Sequence, residues 1–212
     1  MKKNLISSAI AVLVFTVLLG VAYPLVMTGI AQVAFPGRAD GSPIKQDGKV
    51  VGSRLLAQAW TVPVLDANGK PKKDADGNAV TAPDPKYFQP RPSQTGYNPN
   101  GTFFSNRGPN QASAKFFYRD QLQAYIALNG KYTPGLTNAK VPHDAVETSA
   151  SGVDPHISKD NALIQANRIA AVRRLPLSRV EQLIDENTDG RSLGILGEPG
   201  VNTTTLNLAL DR

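Results

Sequence analysis

From Asn4 to Gly37 not one side chain carries a charge, and the run Leu5 to Ala34 is apolar enough to live in lipid. The hydrocarbon core of a bilayer is about 30 Å thick, so a helix rising 1.5 Å per residue crosses it with roughly 20 apolar residues. Leu5 to Val26 already supplies them. A cleaved secretory signal is the competing explanation, because Lys2 and Lys3 form a basic leading segment and Gly20/Ala22 or Gly29/Ala31 could precede a cleavage site. The apolar part of such signals runs only about 7 to 15 residues, so the length of this stretch favours a retained anchor. Basic residues near a span stay on the cytoplasmic side. Lys2 and Lys3 have no acid beside them, whereas Arg38 and Lys45 are interleaved with Asp40 and Asp47. The expected layout is a cytoplasmic tail over 1–4, a transmembrane anchor over 5–34 with the N-terminus inside, and an extracytoplasmic globular domain over 35–212.

That remainder has the length of one domain and can bury a real core. The formal net charge is +6, two units of which belong to Lys2 and Lys3. The other basic residues are scattered among acids, and their densest cluster is Arg173-Arg174. A nucleic-acid binder concentrates its cations on one stripe, so nucleic acid is not an expected partner. Cysteine is absent, which removes disulfides, thiolate metal sites and cysteine nucleophiles.

Pro24 lies inside the apolar run, where it removes a backbone hydrogen bond and crowds the preceding turn, so the helix should be perturbed near Tyr23. Gly20, Ala22, Thr28 and Gly29 cluster around it, and small residues let helices approach closely in lipid. Gly20, Tyr23, Pro24 and Gly29 are therefore the candidate subunit-interface positions. Asp47-Gly48 before Lys49-Val50-Val51 reads as a tight turn entering a strand. Residues 66–85 are rich in Gly, Pro, Asp and Lys and read as an exposed insertion; the D-A-D-G-N piece lacks the acidic spacing and terminal Glu of a calcium loop. The stretch 87–109 mixes aromatics with Pro, Asn and Gly and predicts ordered loop. Helices are expected over Gln111–Asn129, with Phe116, Leu122 and Ile126 inward, and over Lys159–Arg174 behind Ser158 as N-cap. A third follows with Ser178 and Glu181 at capping-box spacing and Val180, Leu183 and Ile184 on one face. Ala145 to Thr148 reads as a short strand, and the alternation of Leu206, Leu208 and Leu210 predicts a terminal strand over Thr203–Leu210. No internal repeat stands out. The fold class is α/β or α+β: one N-terminal transmembrane helix followed by a single mixed globular domain.

The chemistry-bearing motifs are mostly missing. No G-x-x-x-x-G-K-[ST] phosphate loop occurs, and the glycines of L-G-I-L-G-E-P-G read as a turn before a strand. No D-K-T-G phosphorylation segment and no G-x-S-x-G elbow is present. Ser42 and Lys45 match S-x-x-K by letters, without a K-T-G partner. His143 and His156 are the only histidines; with carboxylates they could form a catalytic or zinc site, but no H-E-x-x-H spacing supports metal, so none is expected. A membrane-anchored extracytoplasmic enzyme using His143 or His156 is the alternative reading.

The ordered set of segments resembles one family, the C subunit of the bacterial Kdp potassium-transporting ATPase. The matching pieces are Tyr23-Pro24, Phe35-Pro36, G-K-V-V-G-S-R-L-L-A-Q at 48–58, Y-F-Q-P-R-P-S at 87–93 and Y-N-P at 97–99. S-A-S-G-V-D-P-H-I-S at 149–158 is the most specific, followed by Gln165, Arg168, L-G-E-P-G-V-N and L-N-L-A-L-D. Insertion 66–85 and the S-N-R-G-P segment with its aromatic-rich helix depart from the pattern.

The resemblance implies a non-catalytic accessory subunit, held in the bacterial inner membrane, of an ATP-driven potassium uptake complex. Its implied partners are a channel-like potassium-translocating subunit, a P-type ATPase subunit, a small single-helix subunit and membrane lipid. It also implies a role in assembly and a proposed action as a catalytic chaperone raising the pump subunit's affinity for ATP, with Gln165 as the nucleotide-contact candidate. No cofactor is expected on this chain itself; ATP enters only through the pump subunit. The residues alone place the domain outside, away from cytoplasmic ATP; taken with the resemblance, this implies an outer cap on the channel subunit, with Gln165 as a polar surface or interface residue.

Overall fold

The computed structural model describes residues 2–103 and 105–212. The chain divides into two compact units, Met1–Ser53 and Arg54–Arg212.

In the first unit, helix α1 (Lys2–Val17) runs through a π-helical turn (Leu18–Ala22) into α2 (Tyr23–Ala34). Together they form one helix of 33 residues with mean hydropathy 2.6 over its most apolar window, none of it buried. That is about 50 Å of helix, longer than the hydrocarbon core of a bilayer. The perturbation expected at Tyr23 takes the form of the π turn: the Tyr23 N–H donates to the Leu18 carbonyl, five residues back, immediately before Pro24. Widening the ladder there makes room for a proline ring that would otherwise crowd the carbonyl four residues back. A short helix α3 (Pro36–Ala39) leads to strands β1 (Pro43–Gln46) and β2 (Lys49–Ser53), an antiparallel hairpin. Its two-residue loop, Asp47-Gly48, has φ of 50° and 76°, the double left-handed conformation that Asp-Gly favours.

The second unit packs helices against a small sheet. Its core joins Ala162, Ala166 and Ile169 of α5 (Lys159–Arg173) to Val180, Leu183 and Ile184 of α6 (Leu177–Glu186), with Phe88, Val201 and Leu206. Ser158 caps α5 as expected, its side chain accepting from the Asn161 N–H at 3.2 Å. The helix stops at Arg174, held left-handed at φ 57° ahead of Pro176. In α6 the predicted apolar face is buried, but the capping box is not formed. The N-cap is Pro176, so Ser178 sits inside the first turn, where its hydroxyl cannot serve the free N–H groups. The sheet is antiparallel in the order β5 (His156–Ile157), β7 (Gly200–Asn202), β6 (Thr188–Asp189). L-G-I-L-G-E-P-G is the connection entering β7, as predicted.

Three expectations are corrected. Thr203–Leu210 is helix α7, capped by the Asn202 side chain, which accepts from the Thr205 N–H at 3.1 Å. Thr203, Thr204, Leu206 and Asn207 are its buried residues and Leu210 packs against the core; positions 203, 206, 207 and 210 keep the helical spacing of three and four, which outweighs the alternation of leucines. Ala145–Thr148 is not a strand: a 3-10 turn (His143–Ala145) is followed by irregular backbone whose carbonyls at Glu147 and Thr148 accept from Arg91. In α4 (Ala112–Asn129), Phe116 is 54% exposed, and the buried stripe is Ala114, Tyr125 and Asn129.

The insertion is more ordered than its composition suggests. Its legs pair as β3 (Thr61–Pro63) and β4 (Thr81–Pro83). Beyond them stand two like turns, each built on an aspartate that accepts two backbone N–H groups: Asp66 from Asn68 and Lys70, Asp74 from Asp76 and Asn78. D-A-N-G-K and D-A-D-G-N are thus a short internal repeat that the sequence reading passed over. Three backbone bonds close a ring across the strands: Val64 N–H to Val80 O, Val80 N–H to Lys72 O, and Lys72 N–H to Val64 O.

Candidate functional site

The proline-rich segment around Y-F-Q-P-R-P-S has no partner strand, so its backbone must find donors and acceptors elsewhere. Side-chain amides supply them. Gln165 accepts from the Gln89 N–H at 2.8 Å and donates back to the Gln89 carbonyl at 3.0 Å. Asn207 treats Phe88 the same way, at 2.8 and 2.9 Å. Two amides, one from α5 and one from α7, therefore stand in for a strand edge.

Gln165 lies in the interior, 1% exposed, and not on the surface as expected. Its second acceptance comes from Arg168 Nη2 at 2.8 Å and its second donation goes to Asn161 Oδ1 at 2.9 Å. Two acceptances and two donations use the whole capacity of a primary amide. Arg168 is fully buried and meets oxygens that are all uncharged: Asn129 Oδ1 at 2.9 Å, the Tyr87 carbonyl at 3.0 Å, the Pro85 carbonyl at 2.6 Å and Gln165. Burial draws its pKa down to about 10, which leaves it a cation at neutral pH. The network continues through Asn161, which accepts from the Tyr125 hydroxyl at 2.9 Å and donates to Asp144 at 3.0 Å. Burial, then the charge of Asp144, pushes the Tyr125 hydroxyl well above the usual phenol range. Asp144 also receives the Ser158 N–H and hydroxyl, both at 2.8 Å, and so anchors the start of α5.

Gln165, Asn161, Tyr125, Gln89 and Tyr97 border a cleft of about 140 Å³. Small-molecule sites usually occupy about 300–1,000 Å³, so this cleft is a shallow seam beside the network.

His156 sits elsewhere, on β5, with Nδ1 at 3.3 Å from Asp154 and Nε2 at 2.9 Å from Asp189. Both ring nitrogens face carboxylates, so neither is turned toward a hydroxyl as catalysis by a base and nucleophile would require. The bond to Asp154 raises its pKa, burial opposes that, and Asp189 adds to it. At Asp154 burial works upward, but the ring and backbone N–H of His156 and then Arg91 hold the carboxyl below its ordinary value. His143 opens its 3-10 turn, exposed. Among the described residues no group of three or more His, Asp or Glu side chains is arranged to hold a metal ion.

The S-A-S-G-V-D-P-H-I-S segment ties these parts together. Gly152, at φ 74°, offers its carbonyl to the Ser93 hydroxyl, and a Cβ there would fall 2.9 Å from Thr95 Oγ1. The Pro155 carbonyl accepts from Thr203, at 2.9 Å from its N–H and 2.8 Å from its hydroxyl. Of the candidate interface residues, a Cβ on Gly29 would meet nothing within 4 Å and one on Gly20 only a Thr16 methyl at 4.0 Å. Tyr23 is 58% exposed. Packing within this chain thus does not require either glycine. Sequence reasoning missed Asn207, Asn129 and Asp189; an asparagine inside the apolar run L-N-L-A-L was the available signal.

A family model described as KdpC: K+-transporting ATPase, c chain, matches residues 5–212. The potassium-transporting ATPase KdpC subunit of Rhodospirillum rubrum is 45% identical over 198 residues, covering 92% of this chain and 89% of that one. Its namesake in Streptomyces coelicolor is 40% identical over 208 residues, with 94% and 88% covered. The Bradyrhizobium diazoefficiens subunit is 41% identical over 212 residues, with 100% and 98% covered.

Proposed function

Because the chain belongs to the KdpC family, the c chains of K+-transporting ATPases, we propose that it is a non-catalytic, single-pass subunit needed to assemble an ATP-driven potassium uptake complex. Residues 5–34 cross the inner membrane with the short basic tail inside, and 35–212 form the extracytoplasmic part. Its partners are a channel-like subunit, a P-type ATPase subunit and a small single-helix subunit. The soluble domain acts as an outer cap on the channel-like subunit. The observation that carries this reading is a long apolar helix with no buried face, which calls for lipid or a neighbouring helix around it.

The fully committed hydrogen bonds of Gln165 favour a structural part for that residue. The second reading, a catalytic chaperone touching ATP through Gln165, draws on the seam beside it. Capture of the tagged full-length chain from gently solubilised membranes tests the first. Co-recovery of a channel-like subunit and a P-type pump in fixed ratio is expected; recovery of the anchored chain alone would sink it. Stoichiometric ATP binding by the chain, lost in Gln165→Ala without loss of folding, would favour the second.

A further inference from the structure

A neutral imidazole carries one N–H, so between two carboxylates it can donate to only one and turns a lone pair toward the other. His156 lies between two, Asp154 at 3.3 Å and Asp189 at 2.9 Å. Only the imidazolium satisfies both. Asp154 precedes β5, whereas Asp189 ends β6, and the segment 190–199 begins directly after it. We infer that His156 is a proton-operated latch, which fastens the base of the 190–199 loop to the sheet while protonated and releases it on losing its proton.

The surrounding charges fit that role. Arg54 bonds Asp189 at 3.0 Å, and Arg91 stands 3.9 Å from Asp154. Cation and anion therefore alternate through Arg54, Asp189, His156, Asp154 and Arg91, and Asp144 and Glu198 border a second cleft that Asp189, His156, Asp154 and Arg91 also line. Loss of the central cation leaves one ring N–H for two carboxylates. With that N–H on Nδ1 it stays with Asp154; beside the backbone pairing of Asp189 with Gly200, the Asp189 side chain then keeps only Arg54, in a pair whose side chains are 54% and 49% exposed. Such pairs hold weakly. Gly200 on β7 lets the ring lie flat on the sheet, since a Cβ there would approach His156 Cβ to 3.1 Å. The upward displacement of the His156 pKa agrees with the geometry.

What the latch holds is a unit of its own. Ser192 and Leu196 exchange backbone hydrogen bonds at 2.8 and 2.9 Å, and Arg191 pairs with Glu198 at 2.7 Å. The tip presents Leu193 at 89% and Ile195 at 75% exposure. Releasing Asp189 loosens the footing of an apolar tip and leaves its internal bonds in place. The inference does not rest on the proposed transport role.

With only two histidines, the full-length chain in detergent micelles or nanodiscs can be read by histidine-labelled NMR, His143→Gln assigning the signals. His156 should titrate above the ordinary imidazole range and keep both ring N–H groups below that titration. Asp189→Asn should lower its pKa by roughly one unit, the effect of removing a neighbouring opposite charge. Amide exchange over 190–199, corrected for intrinsic pH dependence, should quicken about tenfold above the titration, the factor one pKa unit represents. In Asp189→Asn it should be fast throughout. A His156 that titrates at or below the ordinary imidazole value, or loop protection unchanged across its titration, would overturn the inference.

Discussion

Arg168 shows what a single buried charge demands. It has no carboxylate to pair with, so carbonyl and amide oxygens must replace its water. Arg168→Met should take the donor from the Pro85 and Tyr87 carbonyls and from Asn129 Oδ1, at about 1–3 kcal/mol for each left unsatisfied; thermal unfolding of the full-length chain measures it. Arg168→Lys should not rescue it, because one ammonium cannot reach a fork of acceptors. Gln165→Ala strands the Gln89 N–H and carbonyl and should cost about 2–6 kcal/mol at about 1–3 kcal/mol for each buried polar group left unsatisfied. Unchanged thermal stability in that variant would remove the structural account of Gln165. The motif letters were visible in the sequence, but their destination was not. A glutamine on a helix reads the same whether it faces water or a backbone many residues away, since hydrogen bonds over long separations leave no local periodicity.

Elements were legible where one local rule governed them and misread where two rules competed. In α5, cap, apolar face and proline stop agree, and the predicted helix ran one residue past the observed end. Ser158→Ala should therefore cost about 1 kcal/mol, as loss of a capping side chain does, in the same unfolding measurement. In α7 the leucine alternation spoke for a strand while Asn202 and the burial of Thr203, Leu206 and Asn207 made a helix. Ser178 and Glu181 had the letters of a capping box but began two residues too late. For the long helix, the span was plain from composition, and the π turn before Pro24 was foreseen as a perturbation without its form. Gly29→Leu adds bulk where nothing of this chain stands within 4 Å. It should leave unfolding of the soluble unit unchanged and reduce the partners recovered with the tagged chain; undiminished recovery would exclude this face as a helix contact.

At the scale of the whole molecule, stability should follow pH through two groups of opposite sign. His156 has a raised pKa, so its contribution is complete below about 6.5, its ordinary value, and fades as pH rises through the folded value. Asp154 has a lowered pKa, so its contribution is complete above about 3.9 and is lost as pH falls through the folded value. Melting temperature should fall as pH rises above about 6.5 and through the folded value of His156, and His156→Gln should flatten that limb. The broad layout, a long apolar helix followed by a mixed globular part, was readable from hydropathy and length. The latch was not, because Asp154 and Asp189 lie 35 positions apart and reach the same ring only because β5 and β6 both pair with β7. The insertion carries the last consequence. Its two turns sit eight residues apart, and Val64 already bonds Val80 directly. Excising 66–73 would bring Leu65 onto the second turn and leave an ordinary hairpin on the same legs. Length at this place can therefore change in steps of a whole repeat, as a telescope changes by one tube, while the rest of the domain keeps its footing.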